Sequence, residues 1–218
     1  MQARTSRVIE WVIVICFIAI VASIIIPSAI TPRHTPRRVM CMNNLRQIGQ
    51  ACVMYAQDYG GYYPTVREEG TTNSRPMASL ALLYDKYVST NKIFACRSAM
   101  DSCADLQPGQ TFLPHARTEQ EAQSGERRRC SYAYDDTRAP QTSHDIVIAG
   151  DAPSSQPSAD GKSRNSDNHF GDGQNVLFYG ATRVLWIERT ENPKIPGDDI
   201  YSAADPKNPG ASDSYIHE

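Results

Sequence analysis

The side chains with most chemistry to offer are six cysteines, at positions 16, 41, 52, 96, 103 and 130, and a histidine set among acids and glycines near position 169. No two cysteines form a C-x-x-C pair, so the spacing supports neither a zinc ribbon nor a thioredoxin-like dithiol. Cys16 lies inside an apolar run, where a thiol behaves as a small hydrophobe. The other five leave room for one or two disulfides if their part of the chain meets an oxidising compartment. Cys96 and Cys130 are the first pair to consider, because each adjoins a strand-like or turn segment. Cys41 or Cys52 could instead reach either one, and buried free thiols are the alternative, since geometry decides such pairs.

His169 sits in Asp167-Asn-His-Phe-Gly-Asp-Gly-Gln-Asn-Val-Leu-Phe-Tyr-Gly180. With Asp172 and Asp151 it could form a metal or acid–base site. The reading favoured here is structural: Gly171 and Gly173 permit a tight turn, which the His169 ring caps by bonding backbone carbonyls. Pro196-Gly-Asp198-Asp199 could offer paired carboxylates to Ca²⁺, an ion that takes clustered oxygens. Two acids in such a loop serve more often as solvated turn residues. Asp160-Gly-Lys-Ser163 has the tail of a phosphate loop, but Gln156 stands where its first glycine belongs. No G-x-S-x-G, H-E-x-x-H or G-x-G-x-x-G occurs, so the expectation is a protein that binds or assembles and has no catalytic residues. A net charge of −2, with both signs mixed along 218 residues, gives no footprint for nucleic acid.

The elements that must carry these residues follow from hydrophobic patterning. Residues 8–30 are almost wholly apolar, and about 20 such residues cross a hydrocarbon core. The predicted organisation is a basic leader over 1–7 and a membrane-spanning helix over 8–30. An amphipathic helix over 31–60, an α+β head over 61–190 and a loop or tail over 191–218 complete it. Glu10 enters the apolar helix near its start, where the macrodipole favours an acid, and Pro27 kinks it or marks its exit from lipid. In the next helix Cys41, Leu45, Ile48, Cys52, Tyr55 and Tyr59 form one stripe of 3.6-residue period that must bury against something. Gly60 and Gly61 stop it. A short helix is expected at Met77–Tyr87 and a mobile polar insertion over 101–128, helical from Glu119. Strand-like runs lie at 130–134, 146–149, 175–179 and 183–187, the last two flanking a hairpin turn at Gly180. A small antiparallel sheet packed on the amphipathic helix is the architecture these elements predict.

Three motifs carry a family resemblance. Arg4-Thr-Ser-Arg-Val-Ile-Glu10-Trp-Val-Ile resembles the N-terminal segment of type IV prepilins and type II secretion pseudopilins. Aligning Glu10 with the family's acid puts the cleavage junction between Thr5 and Ser6, with Thr5 in place of the family's glycine and Ser6 in place of its phenylalanine. Cys41-Met-Asn-Asn-Leu-Arg-Gln-Ile-Gly49, the following Tyr62-Tyr-Pro64 and Phe94-Ala-Cys96-Arg-Ser98 are similar to a bacterial subfamily of pilin-like proteins. That subfamily also ends its head on His-x9-Asp-Gly; here His169 and Gly180 are in place and Tyr179 replaces the Asp.

The resemblance implies a long N-terminal helix packed on an antiparallel sheet, anchored singly in the bacterial inner membrane with the head exported. It implies membrane lipid and other pilin-like subunits or secretion components as partners, with Glu10 setting the register of assembly. It also permits calcium in the loop of Asp198 and Asp199, as in some pseudopilins. The changes at Thr5 and Ser6 support an alternative, a membrane-tethered binding module that keeps the architecture and does not polymerise. Arg33, Arg37 and Arg38 after the apolar run outnumber Arg4 and Arg7 before it, against the positive-inside rule. The cytoplasmic N-terminus therefore rests on the resemblance and on the cysteines.

Overall fold

A computed structural model describes residues 10–23, 34–66, 75–137, 143–154, 165–180, 183–202 and 215–218. Thr5, Ser6 and Pro27 lie outside the described residues. The chain divides into two compact units, residues 1–35 and 36–218. In the first, residues 10–23 are helical (α1) and expose apolar side chains around the whole circumference, among them Trp11, Ile13, Phe17 and Ile18. Fourteen residues at 1.5 Å rise make about 21 Å. Among the described residues no helix is long and apolar enough to cross a membrane.

The second unit is built on α2, His34–Asp58. Its stripe buries as the periodicity requires: Cys41, Leu45, Ile48 and Cys52 are sealed from solvent, joined by Ala51 and Ala56. At the helix end the stripe drifts outward. Tyr55 is half-buried and Tyr59 is exposed, stacked on Tyr55 with ring centroids 4.1 Å apart. Gly60 adopts φ 64°, and the Gly61 N–H returns to the Ala56 carbonyl at 2.7 Å, a glycine-based helix stop.

The sheet contains β1 (Tyr132–Tyr134), β2 (Val147–Asp151), β3 (Gln174–Phe178) and β4 (Val184–Ile187), in the order β1-β2-β3-β4 with every neighbouring pair antiparallel. The fold is thus the expected α+β class. The sheet differs from a half-solvated one: every residue of β1, β2 and β3 is buried. Alternate residues serve two cores. Tyr132, Tyr134, Ile148, Ala149 and Leu177 face the core that holds the α2 stripe, whereas Ala133, Val147, Val176 and Phe178 face a second cluster. A register shift between Val147 and Ala149 lets Ile148 and Ala149 both join the helix side, as a bulge does.

The second cluster corrects the expectation for the tail. The described residues of the segment 191–218 form no helix or strand of their own, yet Ile200 and Ile216 are fully buried against Val147, Val176 and Phe178. The backbones of Tyr134 and His217 exchange two hydrogen bonds, so the terminal residues add a short rung beside β1. Gly150 makes room for this: a Cβ there would sit 2.9 Å from the Ile216 side chain and from the Asn175 carbonyl. A polar, proline-rich segment packs because two well-placed isoleucines cover apolar strand residues that would otherwise meet water.

The stretch 101–128 is likewise no mobile insertion. Cys103, Leu106, Phe112 and Ala116 are buried, and Phe94 packs on Phe112 with centroids 4.5 Å apart. Its helix, α4, is one turn, Glu119–Ala122, capped by Thr118. The other predicted short helix also shrinks, to α3 at Pro76–Ala81. Beyond it the chain turns at Asp85 (φ 75°) and closes a Tyr84–Val88 bridge.

Because Ile216 seals the second face of the sheet, replacing it with alanine is expected to cost about 2–5 kcal/mol, the range for truncating a buried isoleucine. Chemical denaturation of the Ile216→Ala chain checks this. A change within error would show that the segment does not belong to the folding core.

Candidate functional site

Cys41, Cys96 and His169, far apart in sequence, meet in one buried place. Cys41 projects from the first exposed-to-buried turn of α2, and Cys96 follows a 3₁₀ turn at Asn91–Phe94. Their sulfurs form a disulfide with Cα atoms 5.4 Å apart, closing a sequence separation of 55 residues. In the chain-entropy account a loop of that length is stabilised by about 4 kcal/mol. This corrects the Cys96–Cys130 pairing. Cys130 lies two residues before β1, on the far side of Ser131, and directs its thiol to the Tyr132 carbonyl at 3.4 Å, whereas the α2 stripe delivers Cys41 to Cys96.

The cysteine turn is tied to the helix by Asn44, whose amide donates to the Ala95 carbonyl and to the Tyr132 hydroxyl, each at 3.2 Å. His169 approaches from the other side. A 3₁₀ turn at Asp167–His169, capped by the Ser166 hydroxyl, carries the ring inward, and Phe170 reverses the chain in the left-handed region. The His169 ring does not cap its own turn. Its Nε2 lies 3.2 Å from Asp151 Oδ2, 3.2 Å from Asn175 Nδ2 and 3.8 Å from Cys96 Sγ. The Trp186 ring meets it edge-on at 5.3 Å, and the Arg38 guanidinium lies 4.1 Å above Trp186.

Asp151 anchors this cluster from the end of β2, with no exposed surface. A buried carboxylate must be fully hydrogen-bonded to be tolerated. Asn175 supplies two donors to Oδ2, its backbone N–H at 2.7 Å and its side-chain amide at 3.0 Å. Asn168 reaches Oδ1 at 3.4 Å and donates more tightly to the Ser131 carbonyl at 2.7 Å. Asp172, the other acid considered with His169, is exposed, and only its backbone N–H bonds to the His169 carbonyl.

Ser131 links this cluster to a second buried histidine–aspartate contact. Its hydroxyl accepts from the Cys96 N–H at 2.8 Å and donates to Asp101 Oδ2 at 2.7 Å. Asp101 also accepts from the Ala116 N–H and holds the His115 ring at Nδ1. Burial alone would depress the His115 pKa. The hydrogen bond and charge of Asp101, aided by the carboxylates of Glu218 and Asp167, outweigh it and hold the imidazolium above its ordinary range. Glu218, itself raised by burial, accepts from the His115 N–H and from Arg117.

The remaining expected site residues are structural. Gly180 donates its N–H to the Tyr63 hydroxyl at 3.0 Å, and Tyr179, standing where the subfamily has an acid, stacks on Tyr63 with centroids 4.7 Å apart. The two motifs are therefore in contact through aromatic packing. Asp198 is buried and receives the Asn192 amide at 2.9 Å, whereas Asp199 caps the Tyr201 N–H. Among the described residues no third histidine, cysteine or acid joins these two carboxylates as a metal ligand. Glu10 is exposed at the start of α1.

The family model described as protein of unknown function (DUF1559) matches residues 31–194, more than half of the chain. The chain belongs to that family. No curated protein and no solved structure matches it. In this DUF1559 member the matched stretch contains Cys41, Cys96, Asp151 and His169 alike, so the whole buried cluster belongs to the family region.

Sequence reasoning found Cys41, Cys96 and His169 separately and weighed Asp151 with them. It missed Asn168, Asn175, Ser131 and the Asp101–His115 pair. One signal was legible: Ile146-Val-Ile-Ala149 runs straight into Gly150-Asp151, an acid at the end of an apolar strand. Such a carboxylate has to find donors inside the fold.

Two measurements test this description. Cys52 and Cys103 are pushed up to about 12 by burial, and burial likewise raises Cys130 well above its ordinary value. These three thiols should stay unmodified in the native chain at neutral pH, because the thiolate is the nucleophile. Denaturation without reductant should expose four thiols and denaturation with reductant all six; six without reductant would eliminate the disulfide. For His115, the raised folded pKa means that its contribution is complete below the ordinary value of 6.5 and is lost as pH rises through the folded value. The melting temperature should therefore fall between about pH 6 and pH 8 by linkage. His115→Gln should flatten that dependence.

Proposed function

We propose that this chain is a pilin-like subunit anchored in the bacterial inner membrane by its N-terminal apolar segment, with the α+β unit exported as the head. The observation that carries the reading is the surface of α1. Side chains such as Trp11, Ile13, Phe17 and Ile18 are 60–68% exposed. A helix apolar on every side needs lipid or a fully apolar protein surround. The apolar sequence continues to Ile30, giving the 23-residue run that a bilayer core requires. The disulfide in the head supports export, since such bonds persist in oxidising compartments.

Assembly with other pilin-like subunits or secretion components is the role this architecture suits, with Glu10 as the contact between neighbouring apolar helices. A charged group inside lipid is retained where it pairs with an opposite charge. The second reading, a tethered binding module that does not polymerise, is favoured by Thr5 and Ser6 at the expected processing junction. Nothing in the head requires catalysis under either reading.

The intact mass of the chain recovered from bacterial membranes separates the two. A mature N-terminus at Ser6 supports assembly, and an uncleaved Met1 supports the tether. Recovery of the chain in the soluble fraction after carbonate extraction would remove both.

A further inference from the structure

The cluster around His169 has a property that neither membrane reading uses. The sulfurs of Cys41 and Cys96 and the Nε2 of His169 all lie within 4.8 Å of one another, each residue being buried. Two sulfurs and an imidazole nitrogen are the donor set of a thiophilic d¹⁰ ion such as Zn²⁺. With bond lengths of about 2.3 Å to sulfur and 2.05 Å to nitrogen, tetrahedral coordination places S and N roughly 3.6 Å apart. Cys96 Sγ and His169 Nε2 are 3.8 Å apart. The surroundings suit a cation as well. The Asp151 carboxylate lies 3.2 Å from the same nitrogen, and the side-chain oxygens of Asn168 and Asn175 are buried with no hydrogen-bond partner.

We propose that Cys41, Cys96 and His169 form a redox-gated zinc site: a disulfide when oxidised, a Cys2His metal centre when reduced. The two states exclude each other, because the sulfurs must part before both can bind one ion. In the reducing step a dithiol delivers two electrons and two protons to the Cys41–Cys96 bond and closes to its own disulfide. Zn²⁺ then takes the two thiolates and the neutral His169 nitrogen, releasing the two thiol protons. The two thiolates balance the ion's charge, and the Asp151 carboxylate, held by Asn175, stays beside the metal-binding nitrogen. The structural consequence is that α2 and the Cys96 turn stay clamped in either redox state, by a covalent bond or by an ion. The inference is independent of the membrane reading, since it concerns the head alone.

The test uses the full chain in detergent, either oxidised or reduced with a phosphine under anaerobic conditions, with Zn²⁺ as the probe and Co²⁺ as its spectroscopic substitute. After removal of excess metal, the reduced chain should retain one zinc, measured by elemental analysis, and the oxidised chain essentially none. Reduced chain with Co²⁺ should show sulfur-to-metal charge transfer and the visible bands of a tetrahedral centre. His169→Ala should weaken zinc by roughly tenfold or more, since one of three protein ligands is lost, and Cys130→Ala should leave it unchanged. If reduction loosens the fold and zinc restores its near-ultraviolet spectrum, the proposal is supported. Absence of zinc uptake by reduced wild-type chain, folded or not, overturns it. So does uptake that survives His169→Ala undiminished, or that is lost in a folded Cys130→Ala chain.

Discussion

The head is organised around a carboxylate that water never reaches. Asp151 ends β2 with no exposed surface, and an isolated charge in such a place costs several kcal/mol even after relaxation. Its donors come from segments distant in the chain: the backbone and side chain of Asn175 on β3, and Asn168 on the turn before it. Meeting that demand sets where the turn at Asp167–His169 must lie. Once the turn is there, the imidazole of His169 has only the space beside the Cys41–Cys96 bond to occupy. The same carboxylate residue offers its backbone carbonyl to the Tyr201 hydroxyl at 2.7 Å, which draws the C-terminal segment over the sheet.

From this point the two cores follow. On one side α2 lays down a row of small and branched residues, with the disulfide at its beginning and the Gly60 stop at its end. On the other, Ile200 and Ile216 close what the helix cannot reach. The sheet is a buried middle layer and not a platform with a wet face. Two buried acid–imidazole contacts lie beside it, Asp151 near His169 and Asp101 with His115, the latter touching the former through Ser131. A packed interior connects these polar groups through Ser131 and Asn168.

Much of this was legible beforehand where a local rule governs. The α2 stripe obeys the helix period because an isolated amphipathic helix has one way to bury an apolar row. The four strands appeared as runs of branched and aromatic residues, and Gly60 as a stop. The misses have a common cause. Residues 101–128 and 191–218 look like solvated loops because their apolar residues are sparse and show no period. They pack through single side chains, Phe112 or Ile216, each fitted to a gap that other segments create. The Cys96–Cys130 pairing failed for a related reason: nearness of a cysteine to a strand says nothing about which helix residue the strand will face.

By itself, then, the sequence determined the α+β class, the buried face of α2, the apolar N-terminal run and the identities of the three motifs. Those properties depend on periodicity and on composition within a short window. Only the tertiary structure decided that Cys41 joins Cys96, that Asp151 and not Asp172 accompanies His169, and that Ile200 and Ile216 of the tail join a core. Each of those outcomes is a meeting of side chains dozens of residues apart. Packing density and the need to satisfy buried polar groups choose among such meetings, and neither acts until the chain has closed on itself.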